Sequence, residues 1–257
     1  MENKVILKTA EDIARMKISS DLVSRTLGEL QSWVKEGNTP LQLDKIAETY
    51  IRDHGAVPAF LGLYDFPNTL CISRNEEIVH GIPSHIPFKS GDIVSIDCGV
   101  QKDGFCGDQA YTFIVEETSE ENKRLIEITK TCLERGIEAF QYKARLGDVG
   151  FAIQSYAEEQ GCGVVKELVG HGIGKQIHEA PEVPNFGQAG QGKIIQEGWV
   201  VAIEPMITLG NPQIRQAKDG WTLLTRDGKN AAHFEHNIAI LDKKPQLLSS
   251  FAYIDQG

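Results

Sequence analysis

Residues 92–116 read DIVSIDCGVQKDGFCGDQAYTFIVE and predict a β-hairpin. Two runs rich in β-branched and aromatic residues flank Asp103-Gly104, a dipeptide that favours a two-residue hairpin turn. This turn places Asp97 opposite Ala110, and Asp108 then lies diagonal to Asp97 on the same face. The hairpin therefore predicts that two carboxylates converge on one face of a sheet.

The predicted pair of Asp97 and Asp108 has two interpretations. Like charges this close raise the pKa of a carboxyl unless a cation lies between them, which favours a metal site. A buried aspartate can equally cap a turn or accept backbone hydrogen bonds, and a bulge near Gly107 would change the register. The hairpin alone leaves both interpretations open.

Helices and short strands recur in the same order along the chain. Thr9 and Thr39 are predicted to cap the first two helices, which end at Gly37 and Gly55. A second helix pair is predicted at 119–141 and 146–161. Strand-like runs follow each pair, at 70–73, 92–100 and 111–116, and then at 163–169, 199–207, 222–225 and 234–241.

This order predicts an α+β fold. Two similar halves, about 1–117 and 118–245, are expected within a single domain that spans 1–257. Helices are expected to cover one face of a mainly antiparallel sheet. No linker-like or low-complexity tract divides the halves.

Two glutamates interrupt apolar runs in the second half. Glu204 is predicted inside the strand WVVAIEPMI (199–207), and Glu235 inside FEHNIAIL (234–241). A buried glutamate needs a partner. A structural salt bridge is the alternative to a metal site, but neither run carries a lysine or arginine beside its glutamate.

The segment LVGHGIGKQIHEAP (168–181) carries His171 and His178, seven residues apart. On a helix the two rings would share a face, but Gly172 and Gly174 disfavour a helix. In a strand the rings would point to opposite faces. The spacing alone leaves open whether both are metal ligands, one is, or neither.

The combined set of five residues predicts a dinuclear metal site. Four carboxylates and one imidazole are too rich in oxygen for a structural zinc site. They are enough for two divalent ions, which lower the pKa of bound water towards about 7 and thereby favour hydrolysis. The predicted ligands are Asp97, Asp108, His171, Glu204 and Glu235.

Composition excludes several other classes of protein. The net charge of −10 disfavours a binder of nucleic acid or of an anionic membrane. No apolar run approaches the roughly 18 residues of a membrane span, and the N-terminal stretch is not typical of a signal peptide. An odd number of cysteines without a C-x-x-C motif favours a reducing compartment, so we expect a cytoplasmic protein.

Several motifs in order resemble those of the type I methionine aminopeptidases. The resemblance extends from residue 6 to about 242 and implies the pita-bread fold, whose two halves are related by a pseudo-twofold axis. Segment 205–234 is too short for the helical insertion of type II enzymes. The motifs are ILKTAEDIARMK (6–17), CISRNEEIVHGIP (71–83), SIDCGVQKDGFCGDQAYTF (95–113), GHGIG (170–174), IEPM (203–206), KDGWT (218–222) and FEHN (234–237).

The resemblance implies a role for each metal ligand. It implies that Asp108 and Glu235 bridge both ions and that Asp97 chelates one of them. His171 and Glu204 would hold the other ion, and Glu204 would also be the base that transfers protons. Ligands of this kind suit manganese, iron, cobalt and zinc alike, so the sequence does not identify the metal.

The resemblance also implies residues that contact the substrate. His178 is expected to contact the scissile amide and to stabilise the tetrahedral intermediate, and His80 to lie near the leaving side of the peptide. The pocket for the methionine side chain is expected to be lined by Cys71, Phe66 and Trp221.

Five positions depart from the family's usual residues. Cys106, Gln109 and Asn237 flank metal ligands, where hydrogen bonds orient carboxylates and tune metal affinity. Leu63 and Ile177 replace aromatic residues near the pocket. These departures are expected to alter pocket shape and reaction rate more than the class of reaction.

The resemblance implies an enzyme that removes initiator methionine from peptides and nascent proteins and prefers a small second residue. It implies a monomer, with transient ribosome contact and no nucleic-acid or membrane partner. Two alternatives are a peptidase that cleaves before proline and a non-catalytic binding protein on the same fold. The first usually carries an additional N-terminal domain, and the second loses metal ligands.

Overall fold

The structure is a computed structural model that describes residues 4–254. Its first half contains helices α1 (Ala10–Gln31) and α2 (Pro40–Asp53), followed by strands β1 (Val57–Pro58), β2 (Leu70–Arg74), β3 (Glu77–Val79), β4 (Ile93–Lys102) and β5 (Phe105–Ile114). Its second half begins with α3 (Glu120–Ala139) and α4 (Leu146–Glu159). The remaining strands are β6 (Gly163–Val164), β7 (Gly170–Gly172), β8 (Glu179–Val183), β9 (Val200–Ile203), β10 (Met206–Thr208), β11 (Ile214–Gln216), β12 (Leu223–Thr225), β13 (Ala231–His233), β14 (His236–Leu241) and β15 (Lys244–Leu247).

The N-terminal caps of the first two helices lie where the sequence predicts them. The Thr9 side chain accepts a hydrogen bond from the backbone N–H of Asp12, and the Asp12 carboxylate accepts one from the N–H of Thr9. Thr39 caps α2 in the same way. The first helix is shorter than predicted, however, and ends at Gln31. Just past this end, the N–H groups of Trp33 and Val34 bond the carbonyls of Leu30 and Gln31 in tight turns, and the N–H of Gly37 bonds the Phe88 carbonyl at 3.0 Å.

The central hairpin has the predicted register. Asp97 pairs with Ala110 in the β4–β5 ladder, and the pairing continues to the turn without a bulge at Gly107. Helix α1 packs directly on this hairpin. A Cβ at Gly107 would lie 2.5 Å from the backbone nitrogen of Ser20, so a glycine is needed at this contact.

The strands form four hydrogen-bonded sheets within residues 4–254, and their pairs are antiparallel. In the first half β4 lies between β1 and β2 and also pairs with β5. The five-stranded sheet has the order β15-β14-β9-β7-β8. Two smaller sheets, β13-β10-β6 and β11-β12-β3, join segments distant in sequence. The mainly antiparallel arrangement is as predicted, but it is divided between several sheets.

Two predicted strands are interrupted, which corrects the placement of both glutamates. The run 199–207 forms β9 and β10, and Glu204 lies in the break with Pro205, which has no N–H for a ladder. Glu235 lies in a second break, between β13 and β14. Its N–H bonds the Ala110 carbonyl of β5 at 3.0 Å, which draws this segment against the central hairpin.

The helices lie over the strands of their own halves, α1 on β4 and β5, and α3 on β9, β10 and β13. Their apolar faces bury Leu22, Leu27, Leu125 and Leu133 against the strands. The predicted strand at 163–169 is reduced to β6. None of the helices in the described range is long and apolar enough to cross a membrane.

Candidate metal centre

The two aspartates of the hairpin meet on one face of the sheet. Asp97 on β4 and Asp108 on β5 lie diagonally across the ladder, since Asp97 pairs with Ala110 and Asp108 pairs with Gly99. Burial raises the pKa of Asp97 to about 7, and the charge of Glu204 adds to this. Burial also raises the pKa of Asp108 well above its usual range, with the charges of Glu235 and Asp97 as further causes. Each carboxylate is therefore costly to ionise beside the others.

Both glutamates reach the same cluster from the strand breaks. The Glu204 carbonyl accepts a hydrogen bond from the Asn185 side chain at 3.0 Å, which holds the backbone at the break. Burial raises the pKa of the Glu204 carboxyl to about 8. Burial raises the pKa of Glu235 well above its usual range, and the charges of Glu204 and Asp97 contribute.

His171 on β7 faces these carboxylates through Nε2. This atom lies 3.5 Å from Glu204 Oε1 and 3.8 Å from Asp108 Oδ2. Its Nδ1 lies 3.0 Å from the Gly172 carbonyl, a contact that assigns the proton to Nδ1 and leaves the Nε2 lone pair free. Burial lowers the pKa of His171 to about 3, which favours the neutral ring.

The cluster fits a divalent cation. Ligand atoms of Asp108, His171 and Glu235 lie within 4.8 Å of one another. Asp97 Oδ1, Asp108 Oδ1 and Glu235 Oε1 are buried and accept no hydrogen bond from any described residue. Buried polar atoms rarely lack partners, and an oxygen-rich cluster with one imidazole suits a divalent metal ion. The structure thus brings together all five residues that the sequence predicts as ligands.

The cluster lies in a cavity of about 1150 Å³ that also contains both other candidate histidines. His178 lies between β7 and β8, and its ring packs edge-on against His171 with centroids 4.5 Å apart. Tyr64 stacks on its other side at 6.3 Å. Burial lowers the pKa of His178. The two rings therefore lie side by side, His171 on β7 and His178 on the loop that follows, and of the two only His171 is directed at the carboxylates.

His80 follows β3 and has a left-handed backbone conformation, with φ of 58°. Burial, together with the charges of His233 and His178, lowers the pKa of His80 to about 4. The ring lines the same cavity as His178. His80 therefore remains neutral across the physiological pH range.

An apolar wall adjoins the carboxylates. Phe66 and Trp221 meet edge to face, with ring centroids 5.1 Å apart. Cys71 and Phe66 are buried in one apolar cluster. Burial raises the pKa of the Cys71 thiol well above its usual range, and the charge of Asp97 adds to this, so the thiol stays neutral. The three predicted pocket residues therefore line one surface beside the acidic floor.

Comparisons with known proteins agree with this geometry. The family described as metallopeptidase family M24 matches residues 14–242. A methionine aminopeptidase of Clostridium perfringens is 46% identical over 95% of this chain and 98% of its own. Methionine aminopeptidase 1 of Bacillus subtilis is 41% identical over 93% of this chain and 96% of its own.

The structure of methionine aminopeptidase from Rickettsia prowazekii superposes with a TM-score of 0.95 at 38% identity, covering 96% of this chain and all of that one. The chain belongs to the methionine aminopeptidases of metallopeptidase family M24. It is thus a metal-dependent hydrolase with the pita-bread fold, and its cluster binds divalent metal. The prolidase of Pyrococcus furiosus shares the fold alone, with a TM-score of 0.77 at 21% identity over 95% of this chain and 65% of its own.

Three departures from the usual residues of methionine aminopeptidases lie behind the ligands. Asn237 Oδ1 accepts hydrogen bonds from the backbone N–H of Asp108 at 2.7 Å and from Ser20 at 3.2 Å. Gln109 is fully buried and bonded to Ser24. The N–H of Cys106 bonds the Gly174 carbonyl at 2.8 Å. The Asn237 side chain thus holds the backbone at Asp108, and the Gln109 side chain is held by Ser24 on α1.

The other two departures differ in their access to the cavity. Leu63 borders it, whereas Ile177 is buried in the apolar cluster behind Phe66 and Cys71. Replacing an aromatic residue at 63 therefore changes the pocket directly. A change at 177 acts through packing.

Sequence reasoning missed one histidine of the centre in this methionine aminopeptidase. His233 is buried, and its Nε2 lies 3.6 Å from Glu204 Oε2 without a hydrogen-bond partner among the described residues. The sequence signal that could have identified His233 is its position two residues before Glu235. Its approach to Glu204 depends on the pairing of β13 with β10, where His233 lies opposite Met206.

Proposed function

We propose that this chain removes the N-terminal methionine from peptides and nascent proteins and prefers a small second residue. The observation that carries the proposal is a cluster of buried, unpartnered carboxylates and one neutral imidazole beside an apolar wall. We propose that residues 1–257 form one catalytic domain with halves near 1–117 and 118–245. The working form is proposed to be a cytoplasmic monomer that contacts the ribosome transiently.

Two divalent ions are proposed to occupy the cluster. Asp108 and Glu235 would bridge them, Asp97 would chelate one, and His171 and Glu204 would hold the other. The ions supply Lewis acidity that lowers the pKa of water and polarises the scissile carbonyl. The candidates are manganese, iron, cobalt and zinc, because mixed oxygen and imidazole ligands suit each of them.

Glu204 is the proposed proton carrier. Its carboxyl accepts a proton from the attacking water and passes it to the leaving amine. Burial raises the pKa of Glu204 to about 8 in the metal-free protein. Bound cations would favour the ionised carboxylate, which can then accept the proton. The break at Pro205 presents it to the cavity from a fixed backbone.

The two cavity histidines are proposed to act on the substrate as neutral hydrogen-bonding groups. His178 donates to the oxygen of the scissile amide, where negative charge develops, and His80 lies on the leaving side of the peptide. Burial lowers the pKa of both rings, and each neutral ring keeps one N–H donor.

The apolar wall is the proposed methionine pocket. Phe66, Trp221 and Cys71 offer ring faces and a neutral thiol to an unbranched thioether, which makes favourable contacts with aromatic rings. The free α-amino group would bind beside the carboxylates, so that only a terminal residue reaches the reacting position.

A set of three peptides tests the proposal. Protein reconstituted with Mn(II), Fe(II) or Co(II) is expected to release methionine from Met-Ala-Ser but not from its N-acetylated form, and to leave Ala-Pro-Ser intact. Cleavage of Ala-Pro-Ser alone would instead identify a peptidase acting before proline. A folded protein that binds no divalent ion and cleaves none of the peptides would fit a binding protein.

A further inference from the structure

A buried ion pair joins the start of the chain to the loop that carries His178. Lys8 Nζ lies 2.5 Å from Glu179 Oε2, and the two side chains are 4% and 6% exposed. By contrast, the ion pair between Arg15 and Glu11 lies on an exposed helix face. Exposed pairs contribute little to stability, whereas a buried charge depends on its partner. The Lys8–Glu179 pair therefore constrains both segments.

The pair is fixed from the side of the N-terminal segment. Lys8 Nζ also donates to the Ile6 carbonyl at 2.8 Å, and the backbone N–H of Lys8 donates to the Gly198 carbonyl at 2.8 Å. The capped start of α1 follows at Thr9. These hydrogen bonds hold Lys8 in place, so that its ammonium group lies beside Glu179.

Hydrogen bonds hold the His178 loop, residues 173–178, at both ends. At its start the Gly174 carbonyl accepts from the N–H of Cys106 at 2.8 Å. At its end Glu179 Oε1 accepts from the N–H of Gln176 at 3.2 Å while Oε2 faces Lys8. A Cβ at Gly174 would lie 2.5 Å from both Lys8 Cε and Glu179 Oε1, so loop and ion pair are in close contact.

We propose that Lys8 is a positioning residue for His178 and acts through Glu179. This inference rests on the proposed role of His178. Without the ammonium group, Glu179 would be an uncompensated buried carboxylate at the border of the cavity. It would turn towards water and release the turn at Gln176, and the adjacent ring of His178 would leave its position against His171.

The test uses Lys8→Met, which keeps the length of the side chain and removes its charge. We expect kcat for Met-Ala-Ser to fall by about 10- to 100-fold, the loss typical of a misplaced catalytic group. The KM is expected to stay constant, because His178 acts on charge that develops in the transition state. The Mn(II) affinity measured by calorimetry should also stay constant, since no ligand is changed. Lys8→Arg, which preserves the charge, should recover much of kcat.

A double-mutant cycle with His178→Ala decides whether Lys8 acts through His178. We expect the double variant Lys8→Met/His178→Ala to be no slower than His178→Ala alone. Independent, additive losses would overturn the positioning role. Should Lys8→Met fail to fold, Glu179→Gln takes its place in the cycle, with the same expectation and the same contradicting result.

Lys17→Met is the matched control. Lys17 on α1 is exposed and donates to the Leu248 carbonyl at 2.8 Å, away from the loop. Its replacement is expected to leave kcat unchanged. An equal fall in kcat in this variant would contradict a specific role for Lys8.

Wild-type protein that binds Mn(II) but releases no methionine would overturn the proposed function and the role of Lys8 together. An active wild type with an additive double-mutant cycle would overturn the role of Lys8 alone.

Discussion

The acidic side chains around His171 can remain ionised together only if a cation compensates them. Burial raises the pKa of both aspartates and both glutamates, and the charges of their neighbours raise three of the four further. A metal ion would replace this mutual repulsion with attraction. At the scale of single residues, the charge balance of the centre therefore depends on every carboxylate and on the cation that compensates it.

Asp108→Ala is expected to abolish methionine release and to lower metal content. Asp108 shares a sheet face with Asp97, and its Oδ2 lies 3.8 Å from His171 Nε2. Metal analysis of the dialysed protein, together with a peptide assay, measures the effect. Asp53→Ala removes the same charge from an exposed helix end and should change neither. Full metal content in Asp108→Ala would contradict the proposed ligand set.

His178→Ala is expected to keep the metal and to slow turnover by roughly 10²–10³-fold, as for loss of one donor to a developing oxyanion. Its ring contacts His171 edge-on but is not directed at the carboxylates. Calorimetric metal titration and steady-state kinetics measure the two quantities separately. Loss of metal from this variant would show that the roles assigned to the two histidines are wrong.

Residues of the candidate site were predictable where a polar side chain interrupts an apolar run. Asp97, Asp108 and Glu235 stand out in this way, and the hairpin turn fixes which face the aspartates share. His233 was not predictable, since its position beside Glu204 depends on pairing between strands distant in sequence. The same holds for Lys8 and Glu179, whose contact spans most of the chain.

At the scale of elements, the contact between α1 and the central hairpin sets the position of Asp108. Gly107 lies under the backbone of Ser20, and the next residue is Asp108, a proposed metal ligand. The Asp108 N–H is in turn held by Asn237 on β14. Helix α1, the hairpin and β14 therefore fix the position of Asp108 jointly.

Gly107→Ala is expected to lower the free energy of unfolding by about 1–3 kcal/mol, as for other overpacked sites, and to weaken metal binding. Its methyl group would collide with the helix backbone, and relief would shift Asp108. Denaturant unfolding and metal titration measure both effects. Gly104→Ala, at the open hairpin turn with φ of 81°, should lower stability through backbone strain and leave metal affinity intact. Equal metal affinity in the two variants would contradict this coupling.

Elements with local signals were predictable, and their boundaries were less so. The caps at Thr9 and Thr39 and the Asp-Gly turn depend only on neighbouring residues. The breaks at Glu204 and Glu235 depend on several strands that converge on one point, so periodicity alone predicted each segment as continuous. Helix α1 ends at Gln31, six residues before the predicted Gly37, which instead bonds the Phe88 carbonyl far along the chain.

At the scale of the whole molecule, stability and metal binding are linked through protons. The metal-free folded protein keeps protons on carboxyls such as Asp97 and Glu204, with pKa values of about 7 and about 8. In the unfolded chain the same carboxyls release their protons near the ordinary pKa values of aspartate and glutamate, 3.8 and 4.5. Unfolding therefore releases protons between these limits, so this contribution to stability is lost as pH rises.

We expect the unfolding free energy of the protein in EDTA to fall from about pH 4 to about pH 8, apart from contributions of other groups. Metal competes with the protons, so Mn(II) should stabilise the protein more at the alkaline end of this range. Denaturant unfolding across the pH range, with EDTA or Mn(II), measures both trends. Glu204→Gln removes one of the carboxyls and should flatten the fall in EDTA. A steeper fall in that variant would contradict the linkage.

The repeated order of helices and strands was predictable, and the antiparallel character followed from short strands and tight turns. The division of the strands into separate sheets was not, because it reflects how the two halves meet. The cluster lies where they meet, with Asp97 and Asp108 from the first half and His171, Glu204 and Glu235 from the second. The centre is therefore complete only in the folded whole.

The most direct test of the proposed metal centre is methionine release from Met-Ala-Ser, followed as metal is restored to EDTA-treated protein. We expect no release without metal and release that rises as Mn(II), Fe(II) or Co(II) fills the cluster, with no such rise in Asp108→Ala. A folded wild-type protein that binds metal and still releases no methionine would contradict the proposed activity.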